Sequence, residues 1–349
     1  MPKNKSDKKL SYAEAGVDIK AGDEAVERIK SLARKTFSKN VLSEIGSFGG
    51  FFKPDLEGYK EPVIISSADG VGTKLKLAFM TGRHNTVGED LVNHCINDIL
   101  VHGSHPLFFM DYIATGKLKP EVIAEIVEGL SRGCEKAGIA LLGGETAEMP
   151  DFYSSGEYDL AGFIIGLVDK DKVINGSAIK EGDICLGLAS NGLHTNGYSL
   201  ARKAAFEVAG HKPDDFIKEL NMTVAEALMR VHRCYAPIIH PLLDKFDIHG
   251  MAHITGGGIA GNLRRIIPDG FSAEIEKGSW PVTPVFSWLE KAGNIDPDDM
   301  LNTFNMGIGY IIVVKAENAD IMMEKLEQSG EKVFRIGTIK TGQEKVRLI

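Results

Sequence analysis

Residues 62–74 read "PVIISSADGVGTK": an extended apolar run that passes directly into Asp69, Gly70, Gly72, Thr73 and Lys74. A Walker A loop needs G-x-x-x-x-G-K-[ST], with the lysine before the hydroxyl. Here the order is reversed and the spacing differs, so the usual P-loop is excluded. The parts still suit a phosphate or a divalent cation. Asp69 at a strand end can ligate Mg²⁺, the two glycines permit close backbone approach, and Lys74 can neutralise charge. A tight turn with a capping aspartate accounts for the same six residues.

Upstream, "GSFGGFF" (46–52) mixes glycine with aromatics and fits neither structural period, which makes it a mobile-loop candidate. Before it, residues 23–37 repeat Val26, Ile29, Leu32, Ala33 and Phe37 at helical spacing. The lysine-rich start has no apolar segment behind it and reads as a flexible head rather than a signal peptide. Downstream, a helix over 88–103, a strand over 107–114, a helix from Pro120 to Gly138, a strand ending in the turn "GGET", and a strand over 158–169 alternate in order. The turn-rich "KDKVINGSAIKEGD" then marks a boundary. The expected organisation is a flexible segment 1–20, a first domain 21–171 and a second domain 172–349. The second holds strands at "ICLGLAS", "MAHIT", "FSAEIE" and "GIGYIIVV", with a helical zone over 198–245.

The chain has 349 residues and a formal net charge of -8, which argues against a nucleic-acid binder, since such a protein carries a basic face. No apolar run approaches the roughly 18 residues of a membrane span. Its four cysteines (95, 134, 185 and 234) are far apart and form no C-x-x-C pair, so they read as small core residues in a reducing compartment. These features point to a cytoplasmic protein with no nucleic-acid or membrane partner.

The helix over 88–103 has one apolar arc and, opposite it, the rows Glu89–Asn93–Asn97 and Asp90–His94–Asp98, with no lysine or arginine. That face is either a hard-metal platform opposite Asp69 or a solvated surface. "GGETAEMP" offers Glu145 and Glu148 to a magnesium site or a substrate amine, unless they simply favour a helix N-terminus. His194, in the loop "NGLHTNGYS", is expected to be accessible and able to act as acid, base or phosphate ligand. "GGGIAG" fits G-x-G-x-x-G, with Glu274 or Glu276 near the spacing of a ribose-binding acid. A dinucleotide-dependent oxidoreductase is therefore the rival reading, although the same amides suit any phosphate. A non-catalytic interaction protein would not explain so many polar, glycine-rich loops.

Taken together, "SYAEAGVDIKAG", "DGVGTK", "NDIL", "LFFMDYIATGKL", "GGETAEMP", "HTNGYSLARK", "HITGGG" and "TFNMGIG" occur in the order typical of the phosphoribosylformylglycinamidine cyclo-ligase (aminoimidazole ribonucleotide synthetase) family, which the chain resembles over nearly its full length. The wider ATP-binding superfamily includes selenophosphate synthetase and thiamine-phosphate kinase. The resemblance implies an α+β fold of two α/β-sandwich-like domains, with the N-terminal sheet paired to a second subunit in a homodimer. It implies ATP and Mg²⁺ as cofactors and ring closure of formylglycinamidine ribonucleotide as the reaction.

Carried over by position, Asp69, Glu89, Asn93 and Asp98 are the expected metal set. Lys30, Gly46, Gly49, Gly50, Gly70, Gly72, Thr73, Lys74, Glu145, Asn196, Gly256, Gly257 and Gly258 are expected around the nucleotide and phosphates. His194, Asp98 and Lys74 are the expected catalytic groups, with His194 the first choice for deprotonating the amidine. The flap departs from the "GGFGAL" of many members, which leaves the contacts of Phe51 and Phe52 open.

Overall fold

A computed structural model describes residues 16–349. Most of the segment expected to be flexible, residues 1–15, lies outside the described residues. Helix α1 (Ile19–Arg34) starts inside that segment because Asp18 caps it, accepting from the amides of Lys20 and Ala21.

The first half builds a four-stranded sheet from β1 (Pro62–Gly70), β2 (His105–Thr115), β3 (Ala140–Glu148) and β4 (Tyr158–Asp169), in the order β1-β4-β2-β3. β2 and β3 run parallel because α4 (Pro120–Ala137) crosses between them; the other pairs are antiparallel. α4 has Pro120 in its first turn and ends on Gly138 in the left-handed region, as its sequence predicts. α3 (Val87–Leu100) lies with α4 on one sheet face, while the other face exposes Ile64 and Phe163. α2 (Leu75–Thr81) follows a single 3₁₀ turn at Gly72–Lys74 and was not foreseen.

β3 differs from expectation. Its strand does not stop at the paired glycines but runs through them to Glu148. Gly144 lies opposite Asp111, and a Cβ there would collide with the Asp111 carboxylate. The glycine clears a side chain rather than making a turn. Across the sheet, Asp69, Gly162, Asp111 and Gly144 form one continuous row.

The second half opens with β5 (Ile184–Ala189). Its expected helical zone breaks up into α5 (Tyr198–Arg202), which continues as a π turn, a small hairpin of β6 (Phe216–Ile217) and β7 (Met222–Thr223), α6 (Val224–Leu228) and α7 (Ala236–Leu243). Then come β8 (Ile248–His253), α8 (Gly258–Leu263), β9 (Phe271–Ile275), α9 (Pro284–Gly293), α10 (Pro297–Thr303), β10 (Ile308–Val314), α11 (Ala316–Gln328), β11 (Val333–Thr341) and β12 (Val346–Leu348). The sheet order is β12-β9-β11-β5-β10-β8. Alternate residues of β10 enter two cores: Tyr310, Ile312 and Val314 face one, and Ile311 and Val313 the other. Burial on both faces explains why this strand reads as a continuous apolar run.

This topology removes the basis for the oxidoreductase reading. A dinucleotide fingerprint needs a parallel βαβ unit. Here β8 sits at one end of the sheet, pairs antiparallel with β10, and is not adjacent to β9. Gly258 has φ +62°, and a Cβ on it would strike the Leu301 carbonyl, so close packing against α10 requires glycine there.

Candidate active site at the junction of the two halves

α3 is buried over nearly its whole length, including Glu89, Asp90, Asn93, His94 and Asn97. Neither a solvated face nor a uniform metal platform describes it. Its polar residues dock the segment 232–235 of the second half. Asp90 accepts the His232 amide at 2.7 Å, Asn93 donates to the His232 carbonyl at 2.7 Å, and Asn97 donates to the Arg233 carbonyl at 2.7 Å while accepting the Tyr235 amide at 2.9 Å. An acid-and-amide face satisfies backbone groups that burial would otherwise strand.

This geometry corrects two of the expected metal positions. Asn93 is occupied by backbone, and Glu89 is bound by Arg132 and Lys136, each at 2.6 Å. Glu89 lies nine residues from Asp98, half a turn out of phase and about 13 Å along the helix. Asp69 and Asp98 do come together. His94 Nε2 lies 2.7 Å from Asp69 and 3.7 Å from Asp98, and His253 Nδ1 lies 2.8 Å from Asp98, whose other oxygen accepts from Ser67. His94, Asp98 and His253 present ligand atoms within 4.8 Å of one another.

From His94 a polar chain continues through Thr195 Oγ1 (2.5 Å) to His232 Nδ1 (3.2 Å), then from His232 Nε2 to His253 Nε2 (3.0 Å). It joins the halves in a closed loop ending on the two aspartates. Burial works to raise both carboxyls, yet imidazole contacts hold Asp69 and Asp98 below the usual carboxylate range. Burial likewise opposes charge on His94, but the two aspartates hold its imidazole above its ordinary value. Sequence reading missed Thr195, His232 and His253; the only sequence signal was the placement of His253 at a strand end just before a glycine run.

His194 is not accessible as expected. It is 1% exposed, sits at φ +63°, stacks on His232 at 4.1 Å, and has no hydrogen-bond partner on either ring nitrogen. Burial, reinforced by His253 and Lys74, pushes its imidazole well below the ordinary value. Its ring is parallel to that of His232, so the two planes do not converge on a shared ion.

Lys74 is also corrected. It is fully buried, and its ammonium is taken up by Asp90 (2.8 Å) and the carbonyls of Arg230 (2.7 Å) and His194 (3.3 Å). With three donors used, it has none left for a phosphate. Thr73, one residue earlier, stays exposed against Ser199 at 3.0 Å.

A second gathering of expected residues lies at the β3 edge. A cavity of about 610 Å³ is bounded by Val26, Ile29 and Ala33 of α1, by Glu44–Gly50 and by Leu141–Thr146. It brings Gly46, Gly49, Gly50 and Glu145 together; the Lys30 side chain passes by Gly46 but its ammonium pairs with Glu27. The loop closes the cavity as it turns around the sheet edge, with Phe52 packed 5.2 Å from Phe108. Asp111, which the sequence reading did not single out, also borders the cavity, and burial pushes its carboxyl up to about 7 against only its own backbone amide. Asn196 and Gly256 lie side by side near the junction, while Gly257 and Gly258 lead into α8.

An α+β chain of two halves, with paired carboxylates at their junction and a loop-covered cavity beside it, defines the AIR synthase-related class. Residues 58–168 match the model described as "AIR synthase related protein, N-terminal domain", and residues 180–349 match its C-terminal counterpart. Among solved structures, thiamine-monophosphate kinase from Stenotrophomonas maltophilia K279a shares the fold with a TM-score of 0.71 at 16% identity, over 93% of this chain and 95% of that one. Hydrogenase maturation protein HypE in complex with ATP gives 0.66 at 18% identity, over 92% and 90%.

The chain belongs, more narrowly, to the phosphoribosylformylglycinamidine cyclo-ligase family. It is 52% identical to the cyclo-ligase of Syntrophotalea carbinolica over 97% of this chain and 96% of that one, and 47% identical to that of Alkaliphilus oremlandii over 97% and 100%. No helix among the described residues is long and apolar enough to cross a membrane.

Proposed function

We infer that the chain catalyses ATP-dependent closure of formylglycinamidine ribonucleotide to 5-aminoimidazole ribonucleotide, with release of ADP and phosphate. Near-full-length identity of 47–52% to cyclo-ligases carries the reading. ATP transfers its terminal phosphoryl group to the formyl oxygen. The amidine nitrogen then attacks the same carbon, the C–O bond breaks, phosphate leaves and the nitrogen loses a proton. An amide oxygen is a very poor leaving group; its phosphate ester is a good one, so the enzyme's task is positioning and charge neutralisation.

Asp69 and Asp98 are the proposed metal ligands. Their oxygen donors suit a hard cation, and the imidazoles of His94 and His253 fix their orientation. Mg²⁺ bound there supplies neutralisation of the triphosphate. Asp69 is 41% exposed at its side chain and so open to a ligand. Gly70, Gly72 and Thr73 let the backbone approach the phosphates. The nucleoside is assigned to the cavity under Glu44–Gly50, beside Lys30 and Glu145. Asp111 on its border stands two strands from Asp69 in the same row, about 10 Å away, a step a triphosphate can bridge. Asn196 and Gly256–Gly258 are assigned to the substrate side. His194, shut off with its imidazole neutral, is not assigned the proton transfer.

Among the described residues, one face of the first sheet exposes Ile64 and Phe163 and its β1 edge pairs with no further strand, which supports a homodimer formed through that sheet. The test of the activity is ADP release with and without formylglycinamidine ribonucleotide, alongside detection of the aminoimidazole product. ADP release without substrate dependence, or with no aminoimidazole formed, overturns the reading.

A further inference from the structure

Lys74 closes the signature turn, yet it spends its charge inside the protein. A fully buried ion pair is a poor source of stability, because desolvating two charges costs about what their attraction returns, and well-packed apolar residues often do as well. Its value here must lie in what it holds in place. Lys74 Nζ binds the carbonyls of His194 and Arg230, and Asp90 Oδ1 takes both Lys74 Nζ and the His232 amide. The Tyr198 hydroxyl lies 3.0 Å from the same His194 carbonyl, and the Tyr198 ring lies 5.5 Å from the ammonium. The peptides so fixed flank Thr195 and include that of His232, the two residues that hydrogen-bond in sequence from His94 Nδ1. His94 in turn holds Asp69. Asp90, His94 and Asp98 are one i,i+4 row of α3, so a single helix face carries the ion pair, the imidazole and the second acid.

We propose that Lys74 and Asp90 form a positioning unit that sets the second half's loops 194–196 and 230–232 in register with Asp69 and Asp98, so that the phosphoryl donor and the formyl oxygen meet. Neither residue touches substrate; each acts through Thr195 and His232. This rests on the ring-closure reading, which wild-type turnover in the same assay tests separately.

The experiment compares Lys74→Met, Lys74→Met/Asp90→Asn and Thr195→Val by thermal melting and by steady-state kinetics with ATP and formylglycinamidine ribonucleotide. Lys74→Met leaves Asp90 charged and unpaired, so both melting temperature and kcat fall. In the double variant no charge is stranded. Its melting temperature returns toward wild type, while kcat stays at least 10-fold down and the KM for ATP remains within twofold, because the bonds to the His194 and Arg230 carbonyls are still missing. Recovery of kcat together with stability would mean that the pair is only structural and would overturn the proposal. Thr195→Val keeps the ion pair and cuts the link to His94; the same kcat loss with unchanged KM for ATP is expected. Wild-type kcat in that variant overturns the proposal even where the lysine variants fail to fold.

Discussion

Asp69 and Glu89 look interchangeable in the sequence, and the structure separates them. Glu89→Gln removes a carboxylate that is 7% exposed and bound at 2.6 Å by both Arg132 and Lys136. Two charge-assisted hydrogen bonds are worth about 1.5–3 kcal/mol each when buried. Lys136 is 63% exposed and Arg132 32%, so solvent screening cuts the pair to about 2 kcal/mol in total. In a chain of this length that is a fall in melting temperature of about 3 °C, with kcat within a factor of about two. Asp69→Asn does the reverse. Its side chain is 41% exposed, and asparagine keeps an oxygen for His94 Nε2 while losing the charge, so stability falls by about 1 kcal/mol. Losing one anionic ligand from a metal that stabilises transferring phosphoryl charge costs several kcal/mol, or about 10³-fold in kcat, with a raised Mg²⁺ requirement. A magnesium titration of turnover, run beside thermal melting of both variants, reads the two effects separately. If Glu89→Gln shifted the magnesium dependence as Asp69→Asn does while melting like wild type, the assignment of Glu89 to a structural ion pair would be wrong.

Acid should loosen the junction at a second place. His240 stacks 4.2 Å from His105 and donates to the Ser104 carbonyl at 3.0 Å, and burial together with His105 pushes its imidazole down to about 4. The unfolded chain, with an ordinary value of about 6.5, takes up a proton the folded state refuses, so stability is lost as pH falls from about 6.5 to 4, by up to about 3 kcal/mol. His240→Gln should reduce the slope of melting temperature across that window, the other buried histidines keeping the remainder; an unchanged slope refutes the assignment. Limited proteolysis should cut near Gly46–Gly50 in the free protein and be suppressed by Mg·ATP, and cleavage indifferent to nucleotide would remove the cavity from the nucleotide site. Ile64→Lys combined with Phe163→Lys should convert a dimer into monomers in sedimentation, whereas an unaltered dimer would mean that the open sheet face is not the contact.

Much of the fold was legible because local and global signals agree. The long strand expected over 158–169 became β4 with those bounds, and the helix expected from Pro120 to Gly138 became α4, with proline in the first turn and the glycine as its left-handed cap. Where they disagree, tertiary contacts decide. Gly143 and Gly144 read as a turn, but both lie within β3, and Gly144 leaves room for the Asp111 carboxylate. α2 and α10, at seven residues each, are too short to show a helical period and owe their existence to packing. In "GGGIAG", the central glycine of the apparent dinucleotide fingerprint, Gly258, is selected by its φ and by clearance of the Leu301 carbonyl, with no ligand required.

The site was harder to read, for a reason visible in α3. A polar face with no lysine or arginine is unusual, and in the structure that face meets the second half and Asp69 rather than solvent. Its composition also held the means to divide the face. A hard cation asks only for acceptors, whereas asparagine supplies a donor and an acceptor together. Asn93 and Asn97 stand where backbone carbonyls and an amide of residues 232–235 must be met in the absence of water. Asp90, next to them, accepts an amide and a buried ammonium. His94, one turn beyond Asp90, contacts Asp69 at the strand end, and Asp98, a turn further, lies 3.7 Å from the same imidazole nitrogen. The division therefore runs along the helix rather than between its ends: Asn93 and Asn97 clasp the other half, and His94 and Asp98 of the neighbouring row face Asp69 at the proposed metal position. The catalytic and structural parts of the face are set by the same i,i+4 geometry, so a shift of α3 by even one residue would disturb the acid pair and the domain contact together.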